Sequence, residues 1–155
     1  GHVQELNYDI NEYKELGLDC INPCMLWRGF NNVRFFSKAK RKIEKEVFNH
    51  PYKIPFSSIS KAFFDEGKES DEYVCPSIIP RWDHTPRSGK RGTVILNEKP
   101  ELFYKYSKNV LQKTKGPFVF LKSWNEWGEG NYMEPDLEFG KGFIHALNKA
   151  VSEMN

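Results

Sequence analysis

The chain has 155 residues, 23 of them basic and 21 acidic, for a formal net charge of +2. That length buries one core and is ordinarily a single domain. So small a charge gives no global field to draw the chain to nucleic acid or an anionic membrane. No run of about 18 apolar residues and no signal-peptide pattern occurs, so no integral membrane segment is expected and the expected location is cytoplasmic.

In chain order, Asp9 with Glu12 has the form of a capping box, and Tyr13 and Leu16 supply apolar positions before Gly17, which predicts a short helix over 10–16. Residues 19–26 read as a strand through Cys20, Ile21, Cys24, Met25 and Leu26, with Asn22-Pro23 interrupting. Trp27-Arg28-Gly29-Phe30-Asn31-Asn32 then has the composition of a ligand loop, in which Trp27 is either a sugar platform or a core residue and Arg28 a hydroxyl or phosphate anchor or a surface residue. Residues 37–48 interleave lysines and Arg41 with Glu44 and Glu46, either a solvated helix face or a phosphate-binding patch. Pro55, Phe56, Ile59, Phe63 and Phe64 predict a helix ending near Gly67, followed by a charged loop over 66–72.

Residues 73–79 form the next predicted strand, which delivers Trp82-Asp83-His84-Thr85-Pro86-Arg87 into a loop. Asp83 and Arg87 there bind either hydroxyls or each other, and His84 beside Asp83 is either structural or functional. After a polar turn over 88–91, Pro100 opens a helix whose buried stripe is Leu102, Phe103, Tyr106, Val110 and Leu111. Pro117-Phe118-Val119-Phe120-Leu121 has the continuous apolar character of a strand buried on both faces. Phe139, Phe143, Leu147 and Val151 recur every four residues, as on one side of a final helix. Alternating helices and strands predict an α/β fold with parallel strands.

Three cysteines, Cys20, Cys24 and Cys75, make an odd count, against a closed disulfide framework. Cys20 and Cys24 have no second Cys/His pair at metal-ligand spacing, so reduced thiols are expected, with no metal and no cofactor.

The stretch Trp124-Asn125-Glu126-Trp127-Gly128-Glu129-Gly130 lies between the last strand and the last helix, where α/β proteins build their sites. Two carboxylates, Glu126 and Glu129, are bracketed by two indoles. Paired carboxylates divide acid and base roles when their surroundings differ, indole faces stack on apolar surfaces, and the Asn125 amide both donates and accepts. A ligand with C–H faces and many hydroxyls, a sugar, suits that mixture. The competing reading is a polar loop with two core tryptophans and two solvated glutamates.

These residues resemble the WbsX-like glycosyltransferase family, related to glycoside hydrolase family 99. Its signature is a strand ending in W-N-E-W-x-E-G, then a hydrophobic residue and Glu-Pro-Asp, matched here by Trp124 to Gly130 and Met133-Glu134-Pro135-Asp136. A second block, W-D-N-T-P-R, is similar to Trp82 through Arg87, with His84 in place of the usual Asn. The resemblance implies a (β/α)8 TIM-barrel-like domain acting on glycosidic bonds, mannose among the sugars, often in synthesis of bacterial surface polysaccharide such as lipopolysaccharide. It further implies that Glu126 deprotonates a sugar 2-hydroxyl and Glu129 protonates the leaving oxygen, through an anhydro-sugar intermediate, so that Glu129 needs a raised pKa. Trp124, Asn125, Trp127, Trp82, Asp83, His84, Arg87, Glu134 and Trp27 are the expected substrate-binding residues.

A whole barrel needs about 200 residues at least. Residues 1–155 are therefore expected to be one incomplete domain, the C-terminal part of a barrel with about three βα units, whose strand edges need the missing half or a second copy. Two functions of different class follow: a glycosyltransferase or endo-acting hydrolase using the carboxylate pair, or a non-catalytic carbohydrate-binding or structural domain.

Overall fold

The computed structural model describes residues 2–3, 8–23, 25–31, 39 and 42–154, with the backbone alone at 2, 3, 27, 31 and 45. Short parallel strands run through it in chain order. Strand β1 (His2–Val3) pairs with β2 (Asn22–Pro23), Ile21 bridges Val74, and β4 (Ser77–Ile78) pairs with β6 (Phe120–Leu121), all in parallel. A second parallel pair, β3 (Tyr52–Pro55) with β5 (Thr93–Leu96), is in register from Tyr52 opposite Thr93 to Pro55 opposite Leu96. Parallel partners need crossovers, and helices supply them. The fold is mixed α/β.

Local chemistry sets the helix ends. Asp9 accepts the Asn11 N–H at 2.9 Å and starts helix α1 (Ile10–Glu15), and Gly17, at φ +75°, lets the chain turn away. Pro100 opens the long α6 (Pro100–Lys113), as its fixed φ and missing N–H allow. Phe103, Tyr106 and Val110 then line one face, which packs on Phe143 of α7 (Gly142–Ser152), with the Phe103 and Phe143 rings 5.3 Å apart. Each such fully buried apolar side chain contributes about 1.5–3 kcal/mol. Within α7 the buried positions are Phe143, Ala146 and Ala150, while Val151 is exposed and Phe139 precedes the helix.

Several expected elements differ. The strand over 19–26 shrinks to β2, and Met25 and Leu26 begin helix α2 (Met25–Asn31), so residues 27–31 of the expected ligand loop are helical. The reason is burial: Met25, Leu26 and Phe30 face the core, and Gly29 lets the Phe63 ring approach so closely that a Cβ would lie 2.6 Å from it. Residues 37, 38, 40 and 41 of the basic stretch lie outside the described residues, and the described remainder holds a π-helical turn over Ile43–Val47. The helix expected from Pro55 divides into α3 (Phe56–Ile59), a 3-10 turn Ser60–Ala62 and α4 (Glu66–Glu69), in the segment expected as a charged loop. The last strand is not buried on both faces, since Phe118 and Phe120 are exposed. Cys20 and Cys75 are in no disulfide, and Cys24 lies outside the described residues.

Arg28 is no ligand anchor. It is buried and forks onto Glu69, with Nη2 to Oε2 at 2.8 Å and Nη1 on Oε1, while its Nε donates to the Ala62 carbonyl at 3.2 Å. Glu69 is 0 % exposed and also accepts from the Tyr8 hydroxyl at 3.1 Å and the Asp65 amide. Removing one member of a buried pair leaves the other uncompensated. Glu69→Ala is therefore expected to lower folding stability by about 3–5 kcal/mol, read as a shift of the urea midpoint at constant slope; an unchanged midpoint would show that the pair does not hold α2 to α4.

Candidate functional site

The motif leaves β6 and folds back on itself. The Trp124 carbonyl accepts the amides of Met133 at 2.8 Å and Glu134 at 3.2 Å, and β7 (Asn125–Glu126) pairs antiparallel with β8 (Asn131–Tyr132). Between them Trp127–Glu129 makes a 3-10 turn that ends at Gly130, φ +54°. At Gly130 the conformation and the space both require glycine, because a Cβ would sit 2.7 Å from the Asp83 Cβ. That approach lets the Asp83 amide donate to the Glu129 carbonyl at 2.8 Å.

The second sequence block is thereby docked on the first. Residues 82–84 run antiparallel to β5, with the Ile95 amide on the Trp82 carbonyl at 2.9 Å and the His84 amide on the Thr93 carbonyl at 3.1 Å. The Asp83 carboxylate accepts the Thr85 amide at 2.8 Å and its hydroxyl at 2.6 Å, at the start of the short helix α5 (Thr85–Ser88). Arg87, on that turn, reaches both glutamates: Nη1 lies 3.0 Å from Glu129 Oε1 and Nη2 3.0 Å from Glu126 Oε1. Gly128 leaves room for this, since a Cβ there would be 3.3 Å from Arg87 Nε. The fork occupies one oxygen of each carboxylate. With Arg87 and Glu126 open to solvent it contributes little to stability, but its fixed donor geometry sets the spacing of the pair.

His84 Nε2 lies 3.9 Å from Glu129 Oε1, and its Nδ1 is 2.9 Å from the Ser88 hydroxyl. With Ser88 donating, Nε2 carries the proton and faces Glu129. The imidazole stacks on Trp82 at 5.6 Å and 5°. Trp82 is only 4 % exposed, so it supports His84 from the core and is not an open platform. Trp124 and Trp127 are 51 % and 46 % exposed. Trp127 stacks on Tyr132 with centroids 3.7 Å apart and donates its indole N–H to Glu134 at 2.6 Å.

Of the residues expected from the sequence, Glu126, Glu129, Arg87 and His84 converge, with Trp124, Asn125, Trp127 and Glu134 on the same folded motif. Asp83 serves the backbone of α5 and does not pair with Arg87. Trp27 lies in α2 and its side chain is outside the described residues. Sequence reasoning missed Ser88, Tyr132, Arg81 and Glu98. Tyr132, next to the motif, was legible as a third aromatic; Glu98 follows a strand that went unseen. No group of three or more His, Cys, Asp or Glu among the described residues is placed to hold a metal ion, and no described helix is long and apolar enough to cross a membrane.

Arg81 anchors the far side of the motif. It pairs with Asp136 and, at 3.2 Å, with Glu138, and lies about the rings of Tyr132, Phe139 and Phe143 at 4.9, 5.3 and 5.1 Å. Burial pushes the Asp136 carboxyl up, but the Phe139 amide, the Arg81 guanidinium and the Glu138 amide outweigh it and hold it below the usual aspartate range. A carboxyl lowered on folding stabilises above its unfolded pKa, about 3.9, and that contribution disappears as pH falls through the folded value. Asp136→Asn is expected to remove part of the acid-limb slope in a melting-temperature series; an unaltered acid limb would contradict this.

Residues 5–147 match the family model described as Glycosyltransferase WbsX. Two curated relatives, each called uncharacterized protein WxcX and from two strains of Xanthomonas campestris pv. campestris, are 30 % identical over 88 residues. That alignment covers 53 % of this chain and 13 % of each relative's length. No solved structure matches the chain.

Proposed function

We propose a function from one premise: the chain belongs to the WbsX glycosyltransferase family. It is part of a carbohydrate-active enzyme of polysaccharide metabolism that transfers or hydrolyses a glycosyl group, with mannose-containing saccharides as the substrate class. One observation carries the reading: Arg87 holds Glu126 and Glu129 side by side within the motif that exposes Trp124 and Trp127. The arginine takes Oε1 of both groups, so ligand hydroxyls approach through the Oε2 oxygens while a sugar ring lies against an indole. The successive parallel segments β1, β2, β4 and β6 fit the C-terminal part of a (β/α)8 barrel. The motif follows the carboxyl end of β6, where barrel sites lie.

In the chemistry this supports, Glu126 takes the proton of a sugar 2-hydroxyl as that oxygen bonds to the anomeric carbon. The glycosidic bond breaks, and the leaving oxygen takes a proton from Glu129. An acceptor hydroxyl or water then opens the three-membered ring by the reverse proton transfers, giving transfer or hydrolysis respectively. Glu129 is the less exposed of the pair, with side-chain exposures of 19 % against 39 %.

The test uses the full-length protein with mannose-containing oligosaccharides, with and without nucleotide-sugar donors. Glu126→Gln and Glu129→Gln are each expected to reduce product formation by about 10²–10⁴-fold, the range for a positioned acid or base, while oligosaccharide Kd changes little. Undiminished turnover in either variant would contradict the assignment. Binding without product in the unaltered protein would favour a carbohydrate-binding domain.

A further inference from the structure

Glu98 follows β5 and Asn97, whose φ of +60° turns the chain back over the site segment. Its Oε2 accepts the Trp82 amide at 3.3 Å, and its Oε1 is buried without a hydrogen-bond partner among the described residues. Trp82 is itself buried and its indole nitrogen is equally unpartnered. The charged groups facing Glu98 are Arg81 and Asp83, of opposite sign. Arg81 is engaged with Asp136 and Glu138, and Asp83 with Thr85. A buried carboxylate in that position lacks the paired cation that makes an ionised form tolerable, and its neutral form is the lower in free energy. Burial accordingly pushes Glu98 well above the usual carboxylate range, against the smaller opposing pull of the Trp82 amide and Arg81.

We propose that Glu98 is an uncharged positioning residue: its carboxyl holds the Trp82 amide and so fixes the segment that carries His84 and Arg87 to the carboxylate pair. Besides its pairing with β5 through the Trp82 carbonyl and the His84 amide, the segment is held by Glu98 on the Trp82 amide, by Asn131 Nδ2 on the Arg81 carbonyl at 2.5 Å and by the Glu129 carbonyl on the Asp83 amide at 2.8 Å. Asn131 and Glu129 belong to the motif itself, whereas Glu98 comes from the loop after β5. Ionising it places a second negative charge beside Asp83 and works against the seat of the segment. The inference rests on the site reading above for its functional meaning, but its charge state is testable without any sugar.

In Glu98→Gln the amide keeps an acceptor for Trp82 and a donor in place of the acid proton, with no charge to gain. At neutral pH the infrared spectrum of the full-length protein is expected to show the carbonyl stretch of a buried protonated acid, absent in Glu98→Gln. A carboxyl raised on folding stabilises below its unfolded pKa and loses that contribution as pH rises through the folded value. The melting temperature of the unaltered protein should therefore decline with rising pH above the ordinary glutamate range, and that of Glu98→Gln should not. In the product assay, Glu98→Gln should keep kcat within about threefold and lose the alkaline decline, whereas Glu98→Ala should lose about 100-fold, the scale of a 1 Å misplacement. No acid band attributable to Glu98, or parallel stability curves for the unaltered protein and Glu98→Gln, would overturn the proposal. An absence of any product with the band and the stability difference intact would instead count against the carbohydrate reading and leave the charge state established.

Discussion

The Asp83 amide on the Glu129 carbonyl is the contact through which the rest of the site is assembled. It exists because residue 130 has no Cβ: any larger residue would collide with Asp83 and would also resist a positive φ. Through this contact a segment paired to β5 meets a ribbon that follows β6. Once they are joined, the single helical turn Thr85–Ser88 suffices to bring Arg87 within hydrogen-bond distance of both glutamates. Backbone geometry comes first, and the side-chain charges are arranged by it.

The electrostatics of the assembled site then constrain its ligand. Two glutamates share one guanidinium, so the cation of Arg87 is already engaged on both carboxyl groups. A phosphate or other anion placed between the carboxylates would meet repulsion. A neutral polyhydroxyl ligand meets acceptors on the glutamates and apolar faces on Trp124 and Trp127.

Much of the candidate site was legible in the sequence because its residues are concentrated in two contiguous blocks. The spacing of Glu126 and Glu129, and the indoles around them, needed no fold to be noticed. The Arg87 fork was not legible, since Asp83 was the nearer candidate partner along the chain and only the tertiary contact shows that Asp83 is occupied by Thr85. Trp82 was expected among the substrate-binding residues from the resemblance, whereas burial assigns it to the floor beneath His84. The helix over 100–113 formed where Pro100 and the apolar stripe placed it. By contrast β3 was concealed by flanking prolines, although Tyr52 and Ile54 alternate with Lys53 and Pro55 as buried and exposed positions. Met25 and Leu26 were ambiguous for the usual reason: a short apolar run does not by itself separate a strand from the start of a buried helix. Glu69 was hidden in an acidic run that otherwise reads as solvated, and its role appears only with Arg28 across from it.

The most direct measurement of the central claim is a crystal structure of the full-length Glu129→Gln protein with a bound mannose-containing oligosaccharide. The account predicts a sugar ring against Trp124 or Trp127, with hydroxyls on Glu126 and on the side chain at position 129. A saccharide bound elsewhere, with Arg87 and the motif closed and unengaged, would contradict it.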